Sequence, residues 1–389
     1  MSPVPSAWPI LALRTWSPGS RGNRARPGRI PPSGPPVRHR PDTTEGETVG
    51  RSTGTTSPPA QAEASPEGGA ARRRWRLPSV LAWLLLTPWA LWALLRGFGL
   101  DGGFPLAAAV TLTPYTAVTV VLPLVAALLT RRWRPVAAAV ALTAVFAAFL
   151  VPRALADAPP DPVPAGPRLR VLTLNLGLGG ADAHTVVELV RTTGTDLLSL
   201  QELTPDAAAA LTAEGLDELL PHAVADPGPG GTGGGLYSRH PLTERPGPAG
   251  HLPAMPWADV EVAGAPAVEA VSVHPFPPTG TPRTRNWTAY LEDLPPADPD
   301  GAVRILAGDF NATHDHSVFR ELLDSGYTDA ADAVGNGLAP TWSPRDGVPG
   351  LTLDHVLVDT RVRITRTSLH RVPGSDHRAL LAELVLPAA

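Results

Sequence analysis

Three long apolar segments dominate the hydrophobic pattern of the chain, at residues 77–95, 104–130 and 135–152, and each holds 18 or more residues without a charged side chain. A helix rises about 1.5 Å per residue, so each segment is long enough to cross the roughly 30 Å hydrocarbon core of a bilayer. Arginine clusters flank the segments, and tryptophans crowd their ends and the first segment. The pattern predicts three transmembrane helices; the alternative is the buried helical core of a soluble domain.

The arginine clusters also predict an orientation. They lie at 72–76, before the first segment, and at 131–134, between the second and third. The positive-inside rule therefore places residues 1–76 in the cytoplasm and everything after residue 153 outside the cell. Residues 153–167 are Pro-rich and typical of an extended linker, which at about 3.1 Å per residue reaches at most about 50 Å. We expect a multi-pass cell-membrane protein whose extracytoplasmic domain works near the bilayer.

Beyond the apolar segments, the pattern divides the chain into two regions of opposite charge. Residues 1–76 lack hydrophobic periodicity, are rich in Pro, Gly, Ser and Thr, and carry 12 arginines against 5 acidic residues, a pattern that predicts a disordered basic tail. Residues 154–389 carry 15 arginines against 30 acidic residues, a formal charge of -15. Such an acidic domain is poorly suited to binding a polyanion. The absence of Cys excludes disulfides, thiolate nucleophiles and zinc–thiolate sites.

From residue 168 the apolar runs become short and alternate with turns and amphipathic stretches. They predict strands at 169–176, 196–203, 234–242, 267–276, 303–311, 353–360 and 378–386. Amphipathic stretches predict helices at 181–193, 285–294 and 317–326. Strand and helix alternate early and strands predominate later, which favours an α/β domain at 168–389 with two packed sheets flanked by helices.

Polar residues capable of metal or phosphate chemistry recur where these predicted strands end. They are Asn175, Glu202, His274, Asp309, Asn311, Asp354, His355, Asp376 and His377. A rigid sheet can aim such residues into a common cleft. Asp309 and Asn311 are two apart and so share one face of a strand, although an Asx turn is the alternative. Asp354 and His355 are adjacent, so only one of them can enter the cleft.

Other polar residues near these runs have competing interpretations. His314 and His316 follow the strand in what we expect to be a loop, and a helix cap is favoured over metal ligation. Arg285 could meet a phosphate or lipid surface, or be a solvated charge at a helix start. Trp342 could line the cleft or simply pack.

In chain order, "TLNLG", "LLSLQE", "GLYSRHPL", "VSVHP", "LAGDFN", "LDHVLV" and "GSDHRALLAEL" resemble the endonuclease/exonuclease/phosphatase superfamily, the DNase I-like phosphoesterases, over residues 168–386. The resemblance implies a four-layer α/β sandwich that cleaves a phosphate ester with a divalent metal, Mg²⁺ or alternatively Mn²⁺. It implies that Asn175 and Glu202 hold the metal and that Asp376 completes the acidic cluster. Carboxylate and amide oxygens are suitable ligands for such a cation.

The resemblance also implies catalytic roles for five residues. Asp309 would orient or deprotonate the attacking water, and Asn311 would hydrogen-bond a phosphoryl oxygen. Asp354 would orient and charge His377, whose imidazolium would then stabilise the departing oxygen. His274 would contact the phosphate or aid the leaving group.

The layout of three spans followed by an external domain resembles the membrane-anchored bacterial branch associated with teicoplanin resistance. This resemblance suggests an envelope lipid substrate, such as undecaprenyl pyrophosphate or a phospholipid, with Arg285 and Trp342 as candidate substrate contacts. Two alternatives remain at this point: a nuclease acting on DNA or RNA, and an inactive module that binds an envelope ligand.

Overall fold

The computed structural model describes residues 67–158, 165–247, 253–345 and 347–389, with side chains from residue 80 onward in the first range. Trp75–Ala389 belong to one compact unit. Residues 1–66 of the predicted disordered tail lie outside the described residues, as does the middle of the predicted linker. The prediction is wrong for residues 67–76, which are helical.

The N-terminal part is helical. Its helices are α1 (Glu67–Gly97), α2 (Leu106–Val110), α3 (Thr113–Thr119), α4 (Val121–Leu129) and α5 (Trp133–Leu150). By length and composition, two stretches suffice to cross a membrane: Val80–Gly97 of α1 and Trp133–Leu150 of α5. The second predicted span is not a single helix, and its longest apolar helical stretch is Thr113–Leu129. The prediction of three uninterrupted spans is therefore not confirmed.

A proline explains one break in the middle segment. Pro114 has no N–H to donate to the carbonyl of Val110, and the hydroxyl of Thr113 donates to that carbonyl instead, at 2.6 Å. Proline is favoured in the first turn of a helix, so α3 starts here. The indole Nε1 of Trp92 donates to Thr113 Oγ1 at 3.1 Å, and Trp89 Nε1 donates to the carbonyl of Thr116 at 3.2 Å. These bonds hold α3 against α1.

The C-terminal part contains two mixed six-stranded sheets. The first has the order β11-β12-β1-β2-β4-β3 and the second β5-β6-β7-β8-β10-β9. The strands are β1 (Arg168–Asn175), β2 (Leu197–Gln201), β3 (His222–Asp226), β4 (Gly234–Ser238), β5 (Leu242–Glu244), β6 (Trp257–Val260), β7 (Val268–Val273), β8 (Val303–Asp309), β9 (Tyr327–Asp329), β10 (Asp354–Asp359), β11 (Arg363–Arg371) and β12 (Arg378–Val385). The pairs β1–β2 and β7–β8 are parallel.

Helices cover the outer faces of both sheets. They are α6 (Ala183–Thr193), α7 (Pro205–Ala213), α8 (Leu216–Leu219), α9 (Thr281–Glu292), α10 (Ser317–Asp324) and α11 (Ala330–Ala333). The residues of β1 alternate between two cores: Leu169 and Val171 pack between the sheets, whereas Leu172 and Leu174 pack against α6 and α7. A third core joins β7 and β8 to α9 and α10. These cores make an α/β sandwich with helical layers outside two sheets, which confirms the sandwich part of the predicted fold class.

The structure corrects the predicted elements in several places. The predicted strand at 234–242 is two strands, β4 and β5, because Ser238 Oγ accepts the amide of His240 in a turn between them. The helix predicted at 285–294 begins earlier, at Thr281. The hydrophobic pattern did not predict β3, β6, β9 and β11 or the helices α7, α8 and α11, since their apolar residues are few or lie on partly exposed strands.

The first residues of the predicted linker contact the sandwich and are not extended away from it. Residues Pro152–Ala154 form a 3-10 turn, and Ala156 pairs with Val334 beside α11. The carbonyl of Arg153 accepts the amide of Gly337 at 3.0 Å. The chain is therefore bound to the sandwich as soon as it leaves α5.

Candidate active site

The polar residues singled out from the sequence meet at one end of the sandwich. The strands β1, β2, β7 and β8 end there, and the antiparallel strands β10 and β12 start there. The register places Asn175 beside Gln201, and Asp354 beside Asp309. Strand order and register thus bring together side chains that lie far apart in the sequence.

Asp309 is the centre of this cluster. Its side chain is buried, and its Oδ2 accepts a hydrogen bond from Asn175 Nδ2 at 3.1 Å. The ring atoms His377 Nε2 and His274 Nε2 lie 3.7 and 3.9 Å from the same oxygen. Burial raises the pKa of the Asp309 carboxyl to about 7, with Asp354 adding to the shift and His377 opposing it. A general base needs a pKa close to the working pH, and this shift is in that direction.

Asn311 reaches Asp309 by a turn rather than along a strand. Strand β8 ends at Asp309, whose Oδ1 accepts the backbone N–H of Asn311 at 2.9 Å. Asn311 has φ of 47°, a left-handed conformation that Asn tolerates better than most residues. Its Nδ2 donates to the carbonyl of Pro275 at 2.9 Å and contacts Asp309 Oδ2 at 3.3 Å. The prediction that Asp309 and Asn311 share one face of a strand is therefore wrong, and the Asx turn given as its alternative brings the two side chains together.

His377 and Asp354 form a buried pair. His377 Nδ1 lies 2.9 Å from Asp354 Oδ2 and 3.1 Å from Oδ1. Burial disfavours the imidazolium, but the carboxylates of Asp354 and Asp309 outweigh it and raise the pKa of His377 to about 10. The neighbouring His355 faces the other way, with Nδ1 at 2.6 Å from Asp329 Oδ2. The prediction that only one of the adjacent pair at 354 and 355 enters the cleft is confirmed.

Glu202 follows β2 in a left-handed conformation, with φ of 54°. Such a conformation is uncommon for a residue with a Cβ and directs the carboxylate away from the path of the strand. Glu202 Oε2 accepts the backbone N–H of Leu178, and Oε1 lies 3.6 Å from His274 Nε2. Burial lowers the pKa of His274 to about 4, and its Nδ1 has no hydrogen-bond partner among the described residues. His274 is thus a neutral imidazole near neutral pH, in contrast to His377.

Asp376 lies at the edge of the cluster. Its Oδ2 accepts a hydrogen bond from Trp342 Nε1 at 2.9 Å, and its Oδ1 lies 4.0 Å from His377 Nε2. Trp342 is buried and pairs with His377 in a short bridge. The structure therefore shows Trp342 supporting Asp376 and His377. Arg285, the other candidate substrate contact, is exposed on α9.

The donor set fits a hard divalent cation. The carboxylates of Glu202, Asp309 and Asp376 and the amide of Asn175 supply oxygen ligands, which Mg²⁺ and Mn²⁺ prefer. Among the described residues, the acidic and histidine ligand atoms of this site that lie within 4.8 Å of one another belong to Asp309, Asp354 and His377. Glu202 and Asp376, which the sequence predicted as metal ligands, are not in that group. Two further features are typical of a site that binds a charged group. Nδ1 of His274 has no hydrogen-bond partner among the described residues, and the backbone of Glu202 is strained.

A second group of potential ligands, His314, Asp329 and His355, has atoms within the same 4.8 Å limit. Asp329 Oδ2 bonds both histidines, at 2.8 Å to His314 Nε2 and 2.6 Å to His355 Nδ1. His355 Nε2 contacts the carbonyl of Ala312 at 3.0 Å. These hydrogen bonds give the three buried residues a structural role, because they stabilise the turn after β8. His316 also acts structurally, since its Nδ1 accepts the amide of Thr313 at 2.9 Å.

Ser375 is a site residue that the sequence analysis missed. Its hydroxyl donates to the carbonyl of Asn175 at 2.7 Å and accepts the amide of His377 at 3.0 Å. It therefore joins the end of β1 to the start of β12. The only signal in the sequence was its place directly before Asp376 and His377, in "GSDH".

Comparison with known proteins identifies the family. The chain is similar to solved structures that include an endonuclease/exonuclease/phosphatase from Beutenbergia cavernae DSM 12333 (18% identity, 57% of this chain and 72% of that chain, TM-score 0.43). Others are D. rerio TDP2 complexed with single strand DNA product (15%, 56% and 98%, 0.44) and a functionally unknown conserved protein from Enterococcus faecalis V583 (17%, 56% and 99%, 0.42). No curated protein matches the sequence. The Endonuclease/Exonuclease/phosphatase family model matches residues 172–377, more than half of the 389 residues, and the chain belongs to this family.

Proposed function

We propose that the protein is a membrane-anchored, divalent-metal-dependent phosphoesterase that hydrolyses a phosphate ester or pyrophosphate of a cell-envelope lipid. The family hydrolyses phosphoesters with divalent metals. The observation that carries the hydrolytic assignment is the buried Asp309, His377 and Asp354 cluster at the convergent strand ends. Two further observations support the membrane and lipid part of the proposal.

The arrangement of these residues suits phosphoryl transfer to water. A divalent cation held by Glu202 and Asn175 would neutralise phosphate charge and lower the pKa of a bound water. Asp309, with its raised pKa, takes the proton of the attacking water, and Asn311 hydrogen-bonds a phosphoryl oxygen. His377 carries the proton needed at the departing oxygen, because Asp354 holds it charged. Such a site works mainly by positioning and electrostatics.

The distribution of exposed apolar side chains supports a membrane anchor. Among the described residues, 27 large apolar side chains are exposed, and 24 of them lie between Val80 and Leu155. Soluble monomers rarely expose contiguous apolar patches of more than a few hundred Å². A surface of this kind on the helices requires an apolar surrounding, and a bilayer supplies one.

The contacts of Asp315 support the proposed orientation. Arg96, at the end of α1, bonds Asp315 Oδ1 at 3.2 Å, and Arg153, after α5, bonds Oδ2 at 3.0 Å. Both helix ends therefore lie on the same side as the sandwich. If α1 and α5 each cross the membrane, the chain must cross back between residues 97 and 133. The longest apolar helical stretch in that part of the described chain is Thr113–Leu129, and the hydroxyl of its Tyr115 still contacts the Gly350 carbonyl of the sandwich. The extracytoplasmic placement of the sandwich follows the arginine pattern.

The test uses the full-length chain in detergent or nanodiscs, since the helices contact the sandwich directly. Phosphate release is measured with Mg²⁺ or Mn²⁺ from undecaprenyl pyrophosphate and phospholipids, alongside cleavage of DNA and RNA, with Asp309→Asn as the inactive control. Metal-dependent release from a lipid that is lost in the variant supports the proposal. If only nucleic acid is cleaved, the substrate is a polyanion and not a lipid. If no substrate is cleaved, the protein is better explained as a ligand-binding module.

A further inference from the structure

A cavity of about 170 Å³ lies where the N-terminal helices meet the sandwich. Its helical wall is formed by α3 and the residues next to it, and its opposite wall by the loops at 338–340 and 350–352. Arg153, which follows α5, and Thr313, in the turn after β8, complete the lining. The described lining includes none of the proposed catalytic or metal-binding residues. A molecule held in this cavity is therefore not the one that is hydrolysed.

Arg153 supplies an unused hydrogen-bond donor in this lining. Its side chain is 5% exposed, and its Nη1 donates to Asp315 Oδ2 at 3.0 Å. Its Nε has no hydrogen-bond partner among the described residues. Asp332 interacts with Arg153 electrostatically but supplies no acceptor for Nε. A buried donor without an acceptor is costly, so a ligand oxygen that reaches Nε would be bound favourably.

The cavity is larger and more apolar than a site for a bound water. A water needs only roughly 10–15 Å³ of such space and two to four polar partners. The hydroxyls of Thr111 and Thr352 in the lining already donate to the carbonyls of Ala108 and Ala339, at 2.8 and 3.0 Å. Most of the other lining residues have apolar or aromatic side chains. Such a lining suits a ligand with one polar group and an apolar remainder.

An exposed apolar stripe leads away from the cavity along α3 and α4. Tyr115 and Val118 line the cavity, and Leu122, Val125 and Leu129 follow them at intervals of three or four residues. The exposed fraction of these side chains runs from 36% for Tyr115 to 78% for Leu129. Residues at this spacing lie on one face of a helix. The stripe is therefore continuous with the cavity.

The direction of the stripe matches that of a lipid chain on the proposed membrane arrangement. The hydroxyl of Tyr115 donates to the carbonyl of Gly350 in the sandwich, so this end of the stripe lies on the extracytoplasmic side. Leu129 lies at the other end, directly before the arginine cluster at 131–134, which the positive-inside rule places in the cytoplasm. The stripe thus runs from the outer surface into the hydrocarbon core.

We propose that the cavity binds the head group of a membrane phospholipid, with the phosphate at Arg153 Nε and one acyl chain along the stripe. The inference rests on the membrane anchoring in the proposed function. Guanidinium is the side chain that best matches phosphate oxygens. Because the lining combines α3, Arg153 and Thr313, the bound lipid would stabilise the junction between the helices and the sandwich.

The first measurement is lipid binding to the full-length chain in a mild detergent, which does not depend on turnover. Native mass spectrometry compares phosphatidylglycerol with a diacylglycerol that has the same acyl chains. We expect a single phosphatidylglycerol to bind on the order of tenfold tighter than the diacylglycerol, because only the phospholipid offers a charged acceptor to Nε. Equal binding of the two lipids, or binding of neither, would overturn the inference.

Val118→Trp tests the cavity itself. Val118 is 74% exposed, so its replacement should leave the fold intact, but the larger side chain should obstruct the cavity. Phosphatidylglycerol should then bind on the order of tenfold more weakly. Val140→Trp is the matched control, because Val140 is 53% exposed on α5 and outside the lining. An equal loss of binding in both variants would contradict a specific site.

Arg153→Lys tests the role of Nε. Lysine keeps a positive charge for Asp315 but has no donor at the Nε position. The ratio of the two lipid affinities should therefore fall towards one, and an unchanged ratio would contradict the phosphate contact. If Arg153→Lys does not fold, thermal unfolding of the Val118 variant decides. Phosphatidylglycerol should raise the melting temperature of the unmodified chain and of Val140→Trp more than that of Val118→Trp, and an equal rise in all three would overturn the inference.

Failure of this inference and failure of the proposed function give different results. Hydrolysis of a lipid phosphate without selective binding of phosphatidylglycerol would overturn the cavity site and leave the proposed activity standing. Selective binding that is lost in Val118→Trp, without hydrolysis of any ester, would support the cavity site and count against the proposed activity.

Discussion

Removing the charge of Asp315 should destabilise the protein strongly, because this carboxylate is fully buried between two arginines. The side chains of Arg96 and Arg153 are 12% and 5% exposed, and that of Asp315 is 0% exposed. Loss of one partner from a buried ion pair costs about 3–5 kcal/mol, since the other charge stays buried without compensation. The Arg153 side chain is more deeply buried than that of Arg96. The larger share of the loss therefore belongs to Arg153.

The assay is thermal unfolding of the full-length chain in one detergent, comparing Asp315→Asn with the unmodified protein. At roughly 2–4 °C per kcal/mol for a domain of this size, the melting temperature should fall by roughly 6–20 °C. The exposed Glu321→Gln on α10 is the matched control and should shift it by less than about 2 °C. Adding Arg153→Met to Asp315→Asn should recover part of the loss, because it removes the uncompensated charge. A drop of less than about 2 °C in Asp315→Asn would refute the reasoning.

Three further predictions concern the active site and its support. Asp354→Asn should lower kcat by roughly 10²–10⁴-fold, because His377 loses the carboxylate that keeps its imidazole protonated. Steady-state kinetics with the substrate identified in the hydrolysis assay will measure this. Glu202→Gln should raise the Mg²⁺ concentration for half-maximal activity at least roughly tenfold, as a metal titration will show. Asp329→Asn should cost stability most between pH 3.8 and 6.5, the ordinary pKa values of Asp and His. Because the pKa of Asp329 is lowered, the stability that the pair contributes is lost as pH falls below 3.8. Because the pKa of His355 is raised, that stability is also lost as pH rises above 6.5. Melting curves measured across this pH range test both losses.

The sequence predicted where these polar residues would meet, because strand ends impose a simple geometry. An apolar run that ends in Asn175 or Asp309 predicts both the strand and the place where the polar group emerges. Alternation along a strand separated Asp354 from His355 without any tertiary information. The left-handed backbone of Glu202 could not be predicted, since it arises from the contacts of the turn rather than from local preference.

The role of the "HDH" stretch was beyond sequence reasoning. Its spacing suggested a helix cap or a metal pair, yet the decisive residue is the intervening Asp315, whose partner Arg96 lies 219 positions away. Such a contact depends on how the helices pack against the sandwich, and no periodicity in either segment encodes it. The prediction of a continuous span at 104–130 rested on its apolar length and did not take account of Pro114, where α3 starts.

The stretch from Asp309 to Ser317 serves the active site at one end and the helices at the other. Asp315 binds both arginines, His316 Nε2 contacts the carbonyl of Ala107 at 2.9 Å, and the amide of Ser317 donates to Asp101 at 3.0 Å. A site anchored in this way cannot move freely at the end of a flexible linker. On the proposed membrane arrangement it stays at a fixed height above the bilayer, and substrate must come to it. Lipids do so by lateral diffusion in the membrane, whereas an acidic domain repels soluble polyanions. The rigid attachment therefore favours a lipid phosphate, and the negative charge of the domain separately disfavours nucleic acid.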